Sequence, residues 1–356
     1  MGTTFDNDIT VNIFGDAQGV RRASFGLIMH STEDVEAGFT ELYRIYESPS
    51  AAQQDADLSA GAKTAVANFF SQPSGQRPRK VGIAAVTYAS LGTDLDALLA
   101  AVSGTEDVFY GVTCEDRTKA TQLLLAAWTL ANAPSLSVLQ SLDSDILAGT
   151  AGNLFETVNG LTNGRSAGIW HDTDAEHADL AWIAQILGPD PDNQASVAYD
   201  KTLAAVGSVD VTAAEKTTVL GYGGNLHLTL KSVNATGPGT LFSGTTDFID
   251  ELITKDWFQA RLEEGLAQLK LDMSQRNSKI PYTNEGLVMI QNVIEGVFAR
   301  GVSAGHFLAG SLVVDRPDIS DISSAVIASR IATMGATVTS AGGIKDITLN
   351  IGVING

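Results

Sequence analysis

The chain has 356 residues, of which 44% are hydrophobic and 18% are charged. This composition is typical of a folded protein with a sizeable core and excludes a disordered chain. The 41 acidic residues outnumber the 22 basic residues and give a formal net charge of −19. That balance argues against nucleic acid and anionic membranes as partners, because both attract clustered basic residues. It fits a very soluble protein.

A single cysteine, Cys114, excludes an intramolecular disulfide framework. It lies in an apolar stretch, 108–114, that reads as a buried strand, so we interpret it as a structural thiol. Residues 1–16 contain acidic residues and no apolar block, so no secretory signal is expected. The most apolar run, 123–133, is too short to span a bilayer. The sequence therefore predicts synthesis in a cytosol without a membrane anchor.

The N-terminal segment reads as a short strand with one apolar face, joined to the body through glycine. Ile9, Val11 and Ile13 alternate with polar residues, which puts their side chains on one face of a pleated strand. Gly15 and Gly19 follow this strand and offer hinges. The segment is therefore predicted to be an N-terminal arm.

The C-terminal segment has the same parts in reverse order. Gly342 and Gly343 come first and offer hinges. The strand that follows has four apolar residues on one face: Ile347, Leu349, Ile351 and Val353. A two-stranded ribbon is at best marginally stable alone, so such strands need a partner sheet. We interpret both segments as arms that add to a neighbouring copy of the chain; the alternative is two edge strands of the chain's own sheet.

Between the arms, the first half of the chain alternates between strand-like and helix-like patterns. Strands are predicted at 22–30, 80–88, 108–114, 135–140 and 168–171, and helices at 50–70, 95–102 and 116–132. The alternation indicates an α/β fold with a central, mostly parallel sheet flanked by helices, which we assign to residues 21–210. The apolar face of the third helix is predicted to comprise Leu123, Leu124, Ala127 and Leu130.

The second half of the chain is more helical. Thr173, with Glu176 three residues later, reads as a capping box at the start of a helix. Residues 211–340 are assigned to a C-terminal domain of helices and strands, with the arms at 1–20 and 341–356. Within that domain, a strand is predicted at 225–233 and helices at 212–220, 246–274, 284–300 and 323–334.

Three short motifs resemble catalytic or ligand sites but lack part of what such sites need. The run 301–305 matches Gly-x-Ser-x-Gly, but a helix precedes it and no acid and histidine follow in the required order. The run 171–177 holds five groups able to bind a metal, and the start of a helix explains its acidic residues. The glycines of 221–224 lack the lysine of a phosphate-binding loop. We predict no enzyme activity, cofactor or metal site; the alternative is an α/β enzyme or ligand-binding protein with an unrecognised site at the strand ends.

Residues 246–302 resemble a known family. The runs Asp247–Leu252, Asp256–Phe258 and Lys279–Gly286 are similar to the C-terminal part of contractile tail sheath proteins. Those proteins are the sheaths of myovirus-type bacteriophages and related contractile injection systems. Looser similarity lies upstream, at 69–72, 78–81 and 109–112. The chain resembles a small sheath protein without the protruding insertions of larger members.

The resemblance implies a structural subunit that polymerises helically around a tail tube and contracts to drive the tube through a cell envelope. It implies that arms of neighbouring subunits pair into a shared sheet, which the alternation at both chain ends indicates independently. It also implies a tube protein, a baseplate and a terminator as partners, and a virion tail assembled in the host cytoplasm. Arg330 is a candidate tube contact. The alternative within this class is another tail or virion protein, such as a tube, terminator or baseplate component.

Overall fold

The structure, a computed structural model, describes residues 25–103, 105–162, 164–230, 232–244 and 247–343. Its centre is an eight-stranded sheet. In chain order the strands are β1 Ile28–Thr32, β2 Tyr43–Tyr46, β3 Val81–Ala85, β4 Gly111–Cys114, β5 Leu136–Ser141, β6 Ser166–Trp170, β7 Asn225–Leu230 and β8 Val233–Gly237. Their spatial order is β2-β3-β1-β4-β5-β6-β7-β8.

The sheet is parallel except at its edges. β3, β1, β4, β5, β6 and β7 run parallel to one another, while the edge strands β2 and β8 are antiparallel to β3 and β7. Every residue of β1, β5 and β6 is buried, as expected for parallel strands covered on both faces. The predicted α/β fold with a mostly parallel sheet is therefore confirmed. The sheet continues past residue 210 through β7 and β8.

Helices cover both faces of the sheet. Within the described ranges the α-helices are α1 Pro49–Gln54, α2 Ala60–Ser71, α3 Leu91–Val102, α4 Lys119–Ala131, α5 Ser144–Ala148, α6 Leu154–Gly160, α7 Ala178–Leu187, α8 Ala213–Gly221, α9 Ile249–Gln275, α10 Asn284–Ala304 and α11 Ser324–Ser329. α2, α7 and α9 share a core with the Ile28 face of the sheet. α3, α4 and α6 share a second core with the Met29 face. Successive residues of a strand point to opposite faces, which separates the two cores.

The C-terminal region beyond the sheet is built on two long helices. α10 packs along α9. A small antiparallel sheet follows, formed by β9 Val313–Asp315 and β10 Gly335–Thr337. The side chain of Thr283 accepts from the amide of Gly286 and caps α10. A Cβ at position 286 would overlap the carbonyl oxygen of Pro281, so only glycine fits this turn.

Two helix predictions for the first half of the chain need correction. The single helix predicted at 50–70 is two helices, α1 and α2, because the chain breaks at 55–59. The predicted apolar face of α4 points outward: Leu124 and Leu130 are 40% and 46% exposed. The residues that α4 buries include Leu125, Ala126 and Trp128. The buried face of α4 also holds the polar residues Thr121, Gln122 and Thr129, so the hydrophobic periodicity indicated the wrong side.

The predicted capping box at Thr173 is wrong. The side chain of Thr173 makes no capping bond, a 3₁₀ turn occupies 174–176, and α7 starts only at Ala178. The carboxylate of Glu176 instead accepts from the amide of Gly207, a contact between residues distant in the chain. A capping box does form at Thr212, the residue before α8.

Two other predicted elements of the second half are shorter than expected. The strand predicted at 225–233 is the first strand of a hairpin, because the chain reverses and β8 pairs antiparallel with β7. The helix predicted at 323–334 is only α11. Arg330 adopts a left-handed conformation, φ 60°, and ends that helix.

Candidate functional site at the two ends of the described chain

The first described residue, Phe25, is fixed against the body of the protein. Its side chain is buried, and its ring lies 5.0 Å from that of Tyr110, centroid to centroid. The guanidinium carbon of Arg261, on α9, lies 6.0 Å from the Phe25 ring centroid. Phe25 therefore anchors the chain between the sheet and α9 just before β1 begins.

A buried ion pair fixes α9 beneath this anchor. The hydroxyl of Tyr110 donates to Asp256 at 2.7 Å, and two nitrogens of Arg165 donate to the same carboxylate at 2.7 and 2.9 Å. Burial and the negative charge of Asp256 raise the pKa of Tyr110 well above its usual range. Burial opposes the charge on Arg165, but the bonds to Asp256 outweigh that effect and raise the pKa of its guanidinium.

A second buried ion pair joins α9 to the loop that follows α7. Asp192 accepts from Nε of Arg261 at 2.8 Å and from the indole nitrogen of Trp257 at 2.9 Å. Arg261 also donates to Glu264, one turn further along α9, at 2.7 Å. The guanidinium that contacts Phe25 is thus held in place by carboxylates from two elements.

At the other end, residues 338–343 pair with the turn that follows α10. Phe307 and Ser340 form an antiparallel bridge. The amide of Leu308 donates to the carbonyl of Thr339 at 3.0 Å. The amide of Ala341 donates to the carbonyl of His306 at 2.9 Å. These bonds fix the chain up to residue 341.

The imidazole of His306 joins this turn to α9. Its Nε2–H donates to the carbonyl of Pro191 at 2.7 Å, and the hydroxyl of Thr254 donates to its Nδ1 at 2.8 Å. A carbonyl can only accept, which assigns this tautomer. The ring stacks on Trp257 at 4.6 Å between centroids. Burial lowers the pKa of His306, so the ring is neutral at pH 7.

The two glycines predicted as C-terminal hinges lie beside the first turn of α9. Burial raises the pKa of the Asp250 carboxyl, and the nearby backbone of Gly343 opposes that rise. A Cβ at Gly343 would overlap the hydroxyl of Tyr199, whereas a Cβ at Gly342 would meet Glu251 only at 3.7 Å. The segment 340–343 also borders a cavity of about 210 Å³. The last described residue is therefore in contact with the body.

The same helix face holds both ends of the described chain. The residues that contact or position the two ends are Asp250, Thr254, Trp257 and Arg261. Their spacing of four, three and four places them on one side of α9. The stripe spans about 16 Å at a rise of ~1.5 Å per residue. We call these four residues the root stripe. The sequence did not predict it, because the helical spacing of these residues does not show what they contact.

The predicted arm strands and N-terminal hinges lie outside the described residues. These are Ile9, Val11, Ile13, Gly15 and Gly19 at one end, and Ile347, Leu349, Ile351 and Val353 at the other. Arg330 is described; its side chain is exposed at the end of α11.

The near-miss motifs have structural roles. Ser303 lies within α10 and donates to the carbonyl of Ala299 at 3.0 Å. His171 is buried and bonds to the backbone oxygen of Gly207 at 3.0 Å. Cys114 is buried, and burial raises the pKa of its thiol to about 12.

The described part of the chain holds neither a cluster of metal-binding side chains nor a membrane-spanning helix. Among these residues, no group of three or more His, Cys, Asp or Glu side chains is arranged to hold a metal ion. No helix in that part of the chain is long and apolar enough to cross a membrane.

The fold and the root stripe define a class of protein: an α/β body with a C-terminal helical region that fixes both ends of the described chain. Solved structures with this fold include sheath and baseplate chains. One is the anti-feeding prophage helical sheath in its contracted state, with TM-score 0.64, 12% identity, and coverage of 96% of this chain and 98% of that one. A chain of the anti-feeding prophage baseplate has TM-score 0.68 and 11% identity, with coverage of 98% of this chain and 99% of that one. The contracted PVC sheath complex, from an extracellular contractile injection system, has TM-score 0.60 and 9% identity, with coverage of 99% of this chain and 98% of that one.

A family model gives a more particular match. Residues 249–317 match the C-terminal domain of E217 tail sheath protein gp31-like proteins. The match begins at the first residue of α9 and includes the whole root stripe. The resemblance to contractile tail sheath proteins that the sequence indicated is therefore confirmed. No curated protein sequence matches the chain.

Proposed function

We propose that this chain is the subunit of a contractile tail sheath, which polymerises helically around a tail tube and contracts to drive the tube through a cell envelope. The observation that carries this proposal is the extent of the likeness, 96% of this chain and 98% of a chain from a contracted helical sheath. Parallel α/β sheets host many unrelated functions. The sheath likeness also includes the region beyond the sheet, where the family model matches independently.

Polymerisation follows from surfaces that differ at the two ends of a contact. A subunit that offers one surface to a different surface of the next copy makes rings or open helices. The proposed arms add strength, because each strand that engages raises the effective concentration of the next. The arm side chains proposed to pair with neighbouring subunits are Ile9, Val11, Ile13, Ile347, Leu349, Ile351 and Val353.

Contraction requires two packings of the same folded bodies. The root stripe supports a rigid starting point for both arms, since buried ion pairs and His306 hold α9 against the body. We place the flexible joints at Gly15, Gly19, Gly342 and Gly343. The extended polymer would be a high-energy state trapped behind a barrier, so the proposal needs no nucleotide, cofactor or catalytic residue.

The proposed partners are neighbouring subunits, a tail tube protein, a baseplate and a tail terminator. The exposed Arg330 is a candidate contact with the tube. Nucleic acid and membrane anchoring have no part in this proposal. The proposed location is the tail of a virion or of a related injection system, assembled in the bacterial cytoplasm.

Truncation tests the arms. Variants lacking residues 1–16 or 344–356 should keep the circular dichroism spectrum and melting temperature of the full chain. They should fail to form the long, wide tubes expected of the full chain by negative-stain microscopy. Normal tubes from both truncated variants would contradict the arm proposal.

A matched pair of substitutions tests the C-terminal strand without shortening it. Ile351→Asp and Asn350→Asp each add one negative charge at neighbouring positions on opposite faces of the predicted strand. Tube formation should be lost for Ile351→Asp and retained for Asn350→Asp. Equal effects of the two changes would contradict the predicted alternation.

One observation favours a second candidate, a baseplate component. A baseplate chain covers 98% of this chain at TM-score 0.68. Microscopy separates these candidates: long tubes indicate a sheath, closed rings a tube, terminator or baseplate part, and small discrete particles an α/β enzyme.

A further inference from the structure

A short segment, 202–207, lies against α7 and forms part of the cover that buries this helix. We call this segment the strap. Its apolar side chains, Leu203 and Val206, are buried in the same core as α7. The side-chain amide of Gln185, on α7, donates to the carbonyl of Thr202 at 2.7 Å. Lifting the strap would therefore expose apolar surface that the closed body hides.

The imidazole of His227, on β7, holds the strap at two points. The ring is fully buried. Its Nδ1 lies 2.8 Å from the carbonyl oxygen of Gly207, and its Nε2 lies 3.5 Å from the amide nitrogen of Leu203. A carbonyl only accepts and a backbone N–H only donates, so Nδ1 carries the hydrogen and Nε2 is an acceptor. The closed strap thus requires a neutral ring.

A second proton on His227 would disrupt this arrangement. The new Nε2–H would point at the N–H of Leu203, so two donors would face each other in a buried site. The carbonyl of Gly207 would then have a charged ring on one side and a second imidazole on the other, since Nε2 of His171 lies 3.0 Å from the same oxygen. The amide of Gly207 donates to the carboxylate of Glu176 at 2.6 Å, which is the acidic contact at this site.

The groups around His227 favour its neutral form while the strap is closed. Burial has the largest effect and lowers the pKa of the ring. The carbonyl of Gly207 and the carboxylate of Glu176 oppose this effect, and a charged His171 adds to it. With the strap open, the ring meets water and its pKa returns to the ordinary value of about 6.5. The proton therefore binds the open state more tightly, so closure is favoured most above pH 6.5 and weakens as the pH falls.

The strap backbone also carries strain in the closed state. Ala205 has the left-handed conformation, φ 59°, which residues with a Cβ adopt at a cost. We propose that His227 is a pH-sensitive clamp: the neutral ring holds the strap against α7, and the protonated ring releases it while the rest of the body stays folded. This device goes beyond the proposed function and does not depend on it.

Hydrogen exchange of the full chain, followed by mass spectrometry at pH 7 and pH 5, tests the clamp. Labelling times are scaled to the intrinsic exchange rate at each pH, and the protein is kept dilute. The strap amides that donate hydrogen bonds are those of Leu203, Ala204 and Gly207. Their exchange should be at least about tenfold faster at pH 5, relative to the intrinsic rate. Unchanged exchange of the strap at pH 5 would overturn the proposal.

His306 supplies a control within the same molecule. Its Nε2–H also donates to a carbonyl, that of Pro191, but its Nδ1 bonds to the hydroxyl of Thr254. A hydroxyl can turn and accept, so a second proton on this ring keeps a partner. The amide of Leu308, which donates to the carbonyl of Thr339, should keep its protection at pH 5. Equal acceleration at Leu308 and in the strap would show general loosening in acid and overturn the clamp.

Three variants assign the effect to one ring. His227→Asn keeps a side-chain N–H for Gly207 but binds no proton, so the strap should exchange equally at both pH values. His171→Gln and Glu176→Gln are the matched controls; each removes a titrating neighbour of Gly207 and keeps a hydrogen-bonding group, so the acid response should persist. An acid response that survives in His227→Asn, or that disappears in either control variant, would overturn the proposal. If His227→Asn does not fold, the comparison of the strap with Leu308 in the unchanged chain still decides.

Discussion

Two helices of similar composition lie at the centres of the two layers on the sheet, and their environments differ. All ten residues of α7 are buried. α4 is also rich in leucine and alanine, yet it buries only one face and exposes the other. The comparison shows that apolar composition alone does not determine how much of a helix is buried. The elements that pack against the helix decide this.

The cover over α7 comes from distant parts of the chain. The indole of Trp182 donates to the carbonyl of Ala198 at 2.7 Å. On the other side, the side-chain amide of Gln185 donates to the side-chain oxygen of Gln72, the residue that follows α2, at 2.7 Å. A second layer of loop and helix therefore encloses α7. The described residues supply no such layer over the outer face of α4.

The largest expected effect comes from the ion pair at the start of α7. Arg117 and Asp179 form it at 2.6 Å, with side-chain exposures of 6% and 0%. Asp179→Asn leaves the buried Arg117 with only the exposed Asp174 as counter-charge and should cost about 3–5 kcal/mol in the free energy of unfolding. Asp174 also contacts Arg117 but is 58% exposed, so Asp174→Asn should cost less than ~1 kcal/mol. Urea unfolding measures both values, and similar losses would show that burial does not control this pair.

A matched pair of leucines tests the comparison itself. Leu180 on α7 is fully buried, so Leu180→Ala should destabilise the monomer by about 2–5 kcal/mol. Leu130 on α4 is 46% exposed, and Leu130→Ala should change monomer stability by less than ~0.5 kcal/mol. Unfolding is measured below the assembly concentration. A large loss for Leu130→Ala would mean that α4 is covered in the monomer.

Acid should weaken the region in front of α7 through His177. Burial, with the positive charge of Arg117, lowers the pKa of His177 to about 4. Because the unfolded chain binds this proton near pH 6.5, stability is complete above that pH and falls as the pH drops towards 4. The loss from this group at pH 5 is about 2 kcal/mol. Buried His30 lies 5.4 Å away, between ring centroids, and its pKa is lowered in the same direction.

His177→Asn isolates this contribution, since asparagine tolerates the left-handed backbone found here, φ 43°. Between pH 7 and pH 5, the free energy of unfolding should fall by about 2 kcal/mol less in the variant than in the unchanged chain. Urea unfolding at each pH measures this difference. Parallel pH profiles would show that His177 does not control this dependence.

The smallest expected effect concerns helix caps. Thr212 caps α8 with a complete capping box, so Thr212→Ala should cost about 1 kcal/mol. Thr173, ahead of α7, makes no capping bond, so Thr173→Ala should stay within about 0.5 kcal/mol. A larger loss of stability for Thr173→Ala would show that Thr173 does cap the helix, as the sequence predicted.

The candidate site was only partly predictable. The alternation at the chain ends predicted arms, and Gly342 and Gly343 were named as hinges. The root stripe was not predicted, because Arg261 meets Phe25 and Asp250 meets Gly343 across long separations in sequence. Trp257 lies in a run that resembles sheath proteins; it is buried, and the ring of His306 stacks on its indole.

The sequence alone determined the element types, the mostly parallel sheet and the likeness of residues 246–302 to sheath proteins. These signals are local, since alternation, helical spacing and turn residues act within a few positions. The tertiary structure decided which face of α4 the sheet covers, where α7 begins, and that one side of α9 holds both ends of the described chain. Each of these depends on burial and bonding between residues far apart in sequence, which a local pattern does not encode.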